Sequence, residues 1–160
     1  RIYGKTASLF AGAAEMGAIL GGANADETSA LRGFGGDIGM AFQIIDDVLD
    51  LRSTEAVTGK PANLDLRQGT VTLPTMLYLA QIDGTEEADT LRRVVGGDGV
   101  ADEEYSRLAI RIEESGSIDA AINTARDHVA NGLARLAFIE DPSLFGQFQA
   151  FANLALERTQ

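Results

Sequence analysis

Phe42-Gln43-Ile44-Ile45-Asp46-Asp47-Val48-Leu49-Asp50 is the stretch that decides how this 160-residue chain is read. Ile38, Phe42, Ile45 and Leu49 recur at helical spacing and form an apolar stripe. On such a helix Asp46 stacks on Asp50 and Gln43 on Asp47, so four polar groups share one edge opposite the stripe. Carboxylates about 5 to 7 Å apart repel by roughly 2 to 4 kcal/mol per pair at an effective dielectric of about 20. No Lys or Arg lies between Ile38 and Leu51 to offset this. Open water would accommodate the cluster, and so would a hard divalent cation. Mg²⁺ takes oxygen ligands, keeps several waters and bridges one or two carboxylates to phosphates. The solvated edge is the plainer alternative. Met40, Phe42, Ile44 and Ile45 instead suggest a helix buried on most sides, whose aspartates line a cleft.

The same periodicity extends along most of the chain, and alternating β-branched runs are scarce, so the fold class is all-α in a single unit, residues 1–160. The spacing predicts a first helix over about Lys5 to Asn24, with Leu9, Ala13, Met16, Leu20 and Ala23 on one face. Gly12, Gly17, Gly21 and Gly22 lower its propensity and point to a close helix–helix approach. A second helix starts at Asp26 to Ser29 and reaches about Leu51. Residues 52–70 read as a long loop punctuated by Gly59, Pro61 and Gly69, of the kind that usually carries function. Further helices are predicted over Leu73–Ile82, Glu86–Val95, Asp102–Ser115, Ile118–Ile139 and Leu144–Glu157.

Composition narrows the function. A formal net charge of −11 disfavours nucleic acid and anionic membrane surfaces. With no cysteine and a single histidine, His128, thiolate sites, disulfides and a Ser-His-Asp triad are excluded or starved of residues. His128 reads as a surface or helix–helix contact. Arg92, Arg93, Arg107 and Arg111 have acidic neighbours and read as solvated faces or weak surface ion pairs. Phe138, Phe145, Phe148 and Phe151 pack the last helices or meet a second subunit. No apolar run approaches the roughly 20 residues of a membrane span, and a cytoplasmic location is expected. An acidic chain that handles a phosphorylated substrate needs local cations, and two stretches offer them. Lys5-Thr6 opens the first helix, where the dipole favours an anion. Lys60 and Arg67 sit in the loop after the acidic helix.

Lys5-Thr6-Ala7, then Gly36-Asp37 and Phe42-Gln43-x-x-Asp46-Asp47-x-x-Asp50, then Gly59-Lys60-Pro61 with Asp65-Leu66-x-x-Gly69-x-x-Thr72-Leu73-Pro74, resembles the signature order of the trans-isoprenyl diphosphate synthases (polyprenyl synthetases). The resemblance runs from Gly4 to about Leu79. It implies a helical bundle of the isoprenoid synthase type, here lacking its N-terminal helices. It also implies Mg²⁺-dependent head-to-tail condensation of isopentenyl diphosphate with an allylic prenyl diphosphate. By the same resemblance Asp46 meets Mg²⁺ most directly, and Asp47 and Asp50 hold its waters. Lys5 and Lys60 grip the allylic diphosphate, and Thr6, Phe42, Gln43 and Arg67 line the site. A homodimer is the family's common state.

Two departures matter. Thr70 stands where the family often has a second lysine. The family's first aspartate-rich motif, upstream of the Lys-Thr segment, is not in these 160 residues, so the chain by itself is expected to be catalytically incomplete. A non-catalytic partner subunit of a heteromeric prenyl synthase and a class I terpene cyclase are the alternative functions. Product chain length is not legible.

Overall fold

The computed structural model describes residues 3–52 and 63–157, with backbone alone at positions 3 and 5. Every regular element among them is helical. A π-helical turn, Tyr3–Ala7, leads into α1 (Ser8–Leu20). The remaining helices are α2 (Ala25–Arg52), α3 (Leu64–Arg67), α4 (Leu73–Gln81), α5 (Glu86–Val95), α6 (Asp102–Glu114), α7 (Ser117–Ala134) and α8 (Pro142–Glu157). They group into two compact units, Arg1–Ile45 with Asn123–Gln160, and Asp46–Ile122.

In the first unit α1 lies hard against α2. A β-carbon placed on Gly39 would sit 2.6 Å from the Ala7 Cα, and one on Gly35 would sit 2.5 Å from the Phe10 carbonyl oxygen. These are backbone contacts, so the two helices approach as closely as they do only because α2 carries glycine there. The glycines expected to matter were those of α1, yet Gly12 and Gly17 have open space around a β-carbon. The buried side of α1 is likewise its alanines, Ala11 and Ala18. Leu9, Met16 and Leu20 of the expected stripe are exposed.

Asn24, expected within the first helix, is instead the cap of the second. Its Oδ1 accepts from the N–H groups of Asp26 and Glu27, each at 3.0 Å, while Glu27 Oε2 accepts from the Asn24 N–H at 2.8 Å. This is a reciprocal capping box. α1 stops before it because Gly22 takes φ +80°, letting the Ala23 N–H reach back to the Ala18 carbonyl.

Asp37 on α2 accepts from Arg135 Nε at 2.7 Å and faces His128 Nδ1 at 3.2 Å. His128 is thus a helix–helix contact. α7 ends at Ala134 rather than Ile139, where successive three-residue turns tighten the chain and bury Leu136. Phe34 meets Phe148 of α8 edge-on, with ring centroids 5.3 Å apart, and Phe151 at 6.4 Å. Phe138 and Phe151 keep considerable exposure.

In the second unit, the segment expected to be structureless contains α3, which buries Leu66 completely. Gly69 at φ +65° ends it, and the Thr70 N–H closes onto the Asp65 carbonyl at 2.8 Å. α5 is capped by Thr85, whose side chain accepts from the Ala88 N–H, and Arg92 pairs with Asp83 and Asp89 on its surface. Tyr78 on α4 is buried and donates to Glu87 Oε1 at 2.8 Å. Burial first, then that hydrogen bond and the Glu87 charge, push its phenol up from 10 to about 12. The fold therefore favours the neutral phenol. This contribution to stability is complete below pH about 10 and is lost as pH rises toward about 12. Tyr78→Phe is expected to flatten that alkaline limb in urea unfolding followed against pH. An unchanged limb would remove Tyr78 as its cause.

Candidate functional site

α2 carries most of the residues singled out from sequence, and the structure distributes them differently from a single polar edge. Its buried apolar side is Ile38, Ala41, Ile44, Ile45, Val48 and Leu51, while Phe42 and Leu49 are only half-buried. Gln43 and Asp47 are themselves buried, at 9% and 6% exposure. Asp46 is exposed and Asp50 half-buried.

Within the first unit, the Thr6 hydroxyl donates to Gln43 Oε1 at 2.7 Å. The glycine-permitted approach of α1 to α2 makes this possible, because Gly39 lies one turn before Gln43 and beneath Ala7. The bond fixes the Gln43 amide, with its carbonyl oxygen turned to Thr6. Phe42 is half-buried, its ring centroid 5.7 Å from that of Phe10. From Phe10 an apolar groove of about 990 Å³ follows α1, with Ala13 and Gly17 on one side and Phe34, Phe148 and Phe151 among its other walls.

Within the second unit lie the three aspartates, in the last two turns of α2. Two other helices begin with acids, although α6 also ends on Glu113-Glu114 and α8 on Glu157. α5 has Glu86, Glu87 and Asp89 in its first turn and Arg92 and Arg93 in its last, and α6 begins Asp102-Glu103-Glu104. In the last two turns of α2 three carboxylates stand toward the negative pole. Arg52, the base in that last turn, is turned to Glu113 Oε1 at 3.1 Å and Asp119 at 4.0 Å. Asp50 accepts from the backbone N–H groups of Leu64, at 3.2 Å, and Asp65, at 2.9 Å. Sequence reasoning missed this role. The signal was an Asn-Leu-Asp-Leu-Arg segment closed by a glycine, which is a helical turn in need of a cap.

The other expected residues stand as follows. Arg67 donates to Asp102 Oδ1 at 2.6 Å and lies 4.7 Å over the Tyr105 ring. Lys5 is placed by backbone alone, in the π-helical turn that also holds Thr6. Lys60 lies outside the described residues, together with Gly59 and Pro61.

The donor set is uniformly carboxylate oxygen, which suits Mg²⁺ or Ca²⁺ rather than a thiolate- or imidazole-seeking metal. Among the described residues no three His, Cys, Asp or Glu side chains are gathered so as to hold an ion by themselves. An ion that retains waters and takes phosphate oxygens fits that supply. Among the same residues no helix is long and apolar enough to cross a membrane.

Known proteins resemble this chain along nearly its whole length. The polyprenyl synthetase family profile matches residues 1–111. The short chain isoprenyl diphosphate synthase of Methanothermobacter thermautotrophicus is 37% identical over 158 residues, covering 98% of this chain and 47% of that protein. The (2E,6E)-farnesyl diphosphate synthase of Mycobacterium tuberculosis is 38% identical over 160 residues, covering 97% and 44%. A polyprenyl synthase of Caulobacter crescentus, solved with calcium and isoprenyl diphosphate, superposes with a TM-score of 0.88 at 34% identity, over 99% of this chain and 48% of its own. The chain therefore spans about half the length of the relatives it matches. With an all-α fold, the aspartate-rich end of α2 and a profile match over most of its length, this chain belongs to the polyprenyl synthetase family.

Proposed function

We propose that this chain supplies one of the two acidic faces of a prenyltransferase, which condenses isopentenyl diphosphate with an allylic prenyl diphosphate in the presence of Mg²⁺. The observation that carries the reading is the acidic end of α2. Asp46, Asp47 and Asp50 stand within five positions of one another in the last two turns of α2. Cation binding offsets the resulting repulsion.

The residues then divide the work. Asp46, exposed, is the ligand candidate, with Asp47 and Asp50 orienting its surroundings. Bound Mg²⁺ would supply charge neutralisation of the departing diphosphate. Thr6 holds the Gln43 carbonyl oxygen, so the Gln43 amide N–H groups are oriented as donors in a fixed direction. Phe42 and Phe10 form an apolar wall that keeps water from the reacting carbon. The groove beyond Phe10 suits an isoprenoid tail, since its lining is mostly apolar, with Glu27 and Gln147 as its polar side chains. Lys5, Lys60 and Arg67 are proposed as diphosphate partners. For Arg67 this requires sharing with Asp102. The two compact units are proposed to act as one catalytic domain, and a homodimer in the cytoplasm is the expected state.

The 160 residues hold one Asp-Asp-x-x-Asp motif. Turnover that needs two therefore depends on residues outside them. Titrating farnesyl diphosphate into the chain by calorimetry, with Mg²⁺ and with EDTA, tests the reading. Binding only with Mg²⁺, and no elongation of labelled isopentenyl diphosphate by the chain alone, is the expected pair of results. Metal-independent binding, or none, overturns the metal role. Cyclic hydrocarbon products would favour a terpene cyclase instead.

A further inference from the structure

Three pairs in the sequence, Asp83-Gly84, Asp98-Gly99 and Asn131-Gly132, place a side-chain carbonyl just before a glycine. In such a pair the glycine nitrogen can attack the side-chain carbonyl carbon, because no β-carbon on the second residue hinders the approach. In a flexible peptide Asn-Gly leads, since an amide cyclises more readily than a carboxylate. Sequence alone therefore points to Asn131.

The structure reverses that order. Asn131 lies inside α7, where the Gly132 N–H is committed to a helical bond and helical backbone does not bring the side chain onto it. α2 also packs on this point, since a β-carbon on Gly132 would sit 3.2 Å from the Asp37 Cβ. Asp83 lies in the turn before α5, but Arg92 holds its carboxylate. Asp98 follows the end of α5, its own N–H closing onto the Arg93 carbonyl at 3.0 Å. Among the described residues its carboxylate meets no cation, and the Gly99 N–H meets no backbone carbonyl. Both residues are exposed, and nothing stands within 4 Å of a β-carbon on Gly99.

We propose that Asp98-Gly99 is a site of spontaneous covalent modification, at which the chain passes through a cyclic imide to isoaspartate. The Gly99 nitrogen bonds to Cγ of the protonated Asp98 carboxyl group. One carboxyl oxygen leaves as water, taking its own proton and the amide proton. Water then cleaves the bond between the Gly99 nitrogen and the Asp98 main-chain carbonyl carbon, which becomes a carboxylate. The mass is restored, and the backbone now runs through Cβ and Cγ, one carbon longer. Water is the sole co-reactant. The added carbon falls between two places where the chain meets the α3 turn. Before it, a β-carbon on Gly69 would lie 3.1 Å from the Val95 carbonyl oxygen, and after it Asp102 accepts from Arg67 at 2.6 Å. The inference does not depend on the proposed function.

Incubation of the folded chain at neutral pH in heavy-oxygen water, followed by isomer-resolved peptide mapping, tests the assignment. Asp98 is expected to carry at least about twofold more isoaspartate than Asp83, as a surface ion pair allows. It is expected to exceed Asn131 by at least about tenfold, because reaction there waits on local opening of α7. In urea Asn131 should lead instead. Asp83 or Asn131 leading in the folded chain overturns the assignment. So does an Asp98 peptide that stays unmodified in the folded chain while isomerising in urea. Arg92→Ala, which frees Asp83, is expected to close the gap between the two aspartates, and an unchanged gap overturns the part given to that ion pair.

Discussion

Asp46→Asn is expected to weaken Mg²⁺-dependent binding of an isoprenyl diphosphate by about 100-fold while relieving carboxylate repulsion in the metal-free chain. The two effects have opposite signs because they read the same charge in two states. Asp46 is exposed, so its replacement removes no packing. Without metal it is one of three carboxylates at the negative pole of α2, with Asp50 one turn away. The repulsion between Asp46 and Asp50 that it relieves is worth about 0.2 to 0.5 kcal/mol at low salt. With metal, the same charge is the attraction. Calorimetry of ligand binding and urea midpoints in EDTA measure the pair. A variant that loses binding together with stability would show Asp46 to be structural, and one that loses neither would leave the site elsewhere.

Gly39→Leu should be among the most disruptive single changes in the first unit, costing at least about 3 kcal/mol. Its β-carbon would lie 2.6 Å from the Ala7 Cα and 3.1 Å from the Phe10 Cβ. The nearer atom is backbone and cannot rotate aside, so α1 as a whole must move. That movement also pulls Thr6 from Gln43, and loss of ligand binding should accompany the loss of stability. Gly12→Ala is the matched control. It lies in a helix interior with nothing within 4 Å of the new atom, and should stabilise by about 0.5 to 1 kcal/mol. Urea unfolding of both variants decides the matter. Near-parental stability of Gly39→Leu would mean that α1 and α2 are not tightly seated.

The helices were legible because their apolar spacing is regular and their ends carry ordinary punctuation. α5 was read to the residue from Glu86 to Val95, between Thr85 and Gly96. Errors came where local and tertiary signals diverge. The Leu9, Met16 and Leu20 stripe looked like the packed face of α1, but the close approach of α2 selects alanines. Asn24 and Glu27 spelled out a capping box that was overlooked in favour of Asp26. In the candidate site, residue types were readable and allegiances were not. No spacing rule links Asp50 to two amides 14 and 15 positions later, and none separates the buried Asp47 from the exposed Asp46 beside it. A helical wheel treats a helix as having two sides, whereas α2 is covered on most of its circumference.

The two units differ in when they can be completed. Asp46–Ile122 is one uninterrupted run, whereas the other unit joins Arg1–Ile45 to a segment that begins at Asn123. Its clasp of Asp37 with His128 and Arg135 spans 91 and 98 positions. During synthesis the inner run can emerge and collapse as soon as it clears the ribosome. The α1–α2 pair must wait for the partners of Asp37 and for the Phe148 and Phe151 rings that meet Phe34 until Asn123–Gln160 arrives. Long-range closure of that kind is entropically slow. Its vulnerable interval is therefore set by translation speed through the inner run rather than by the stability of the finished unit.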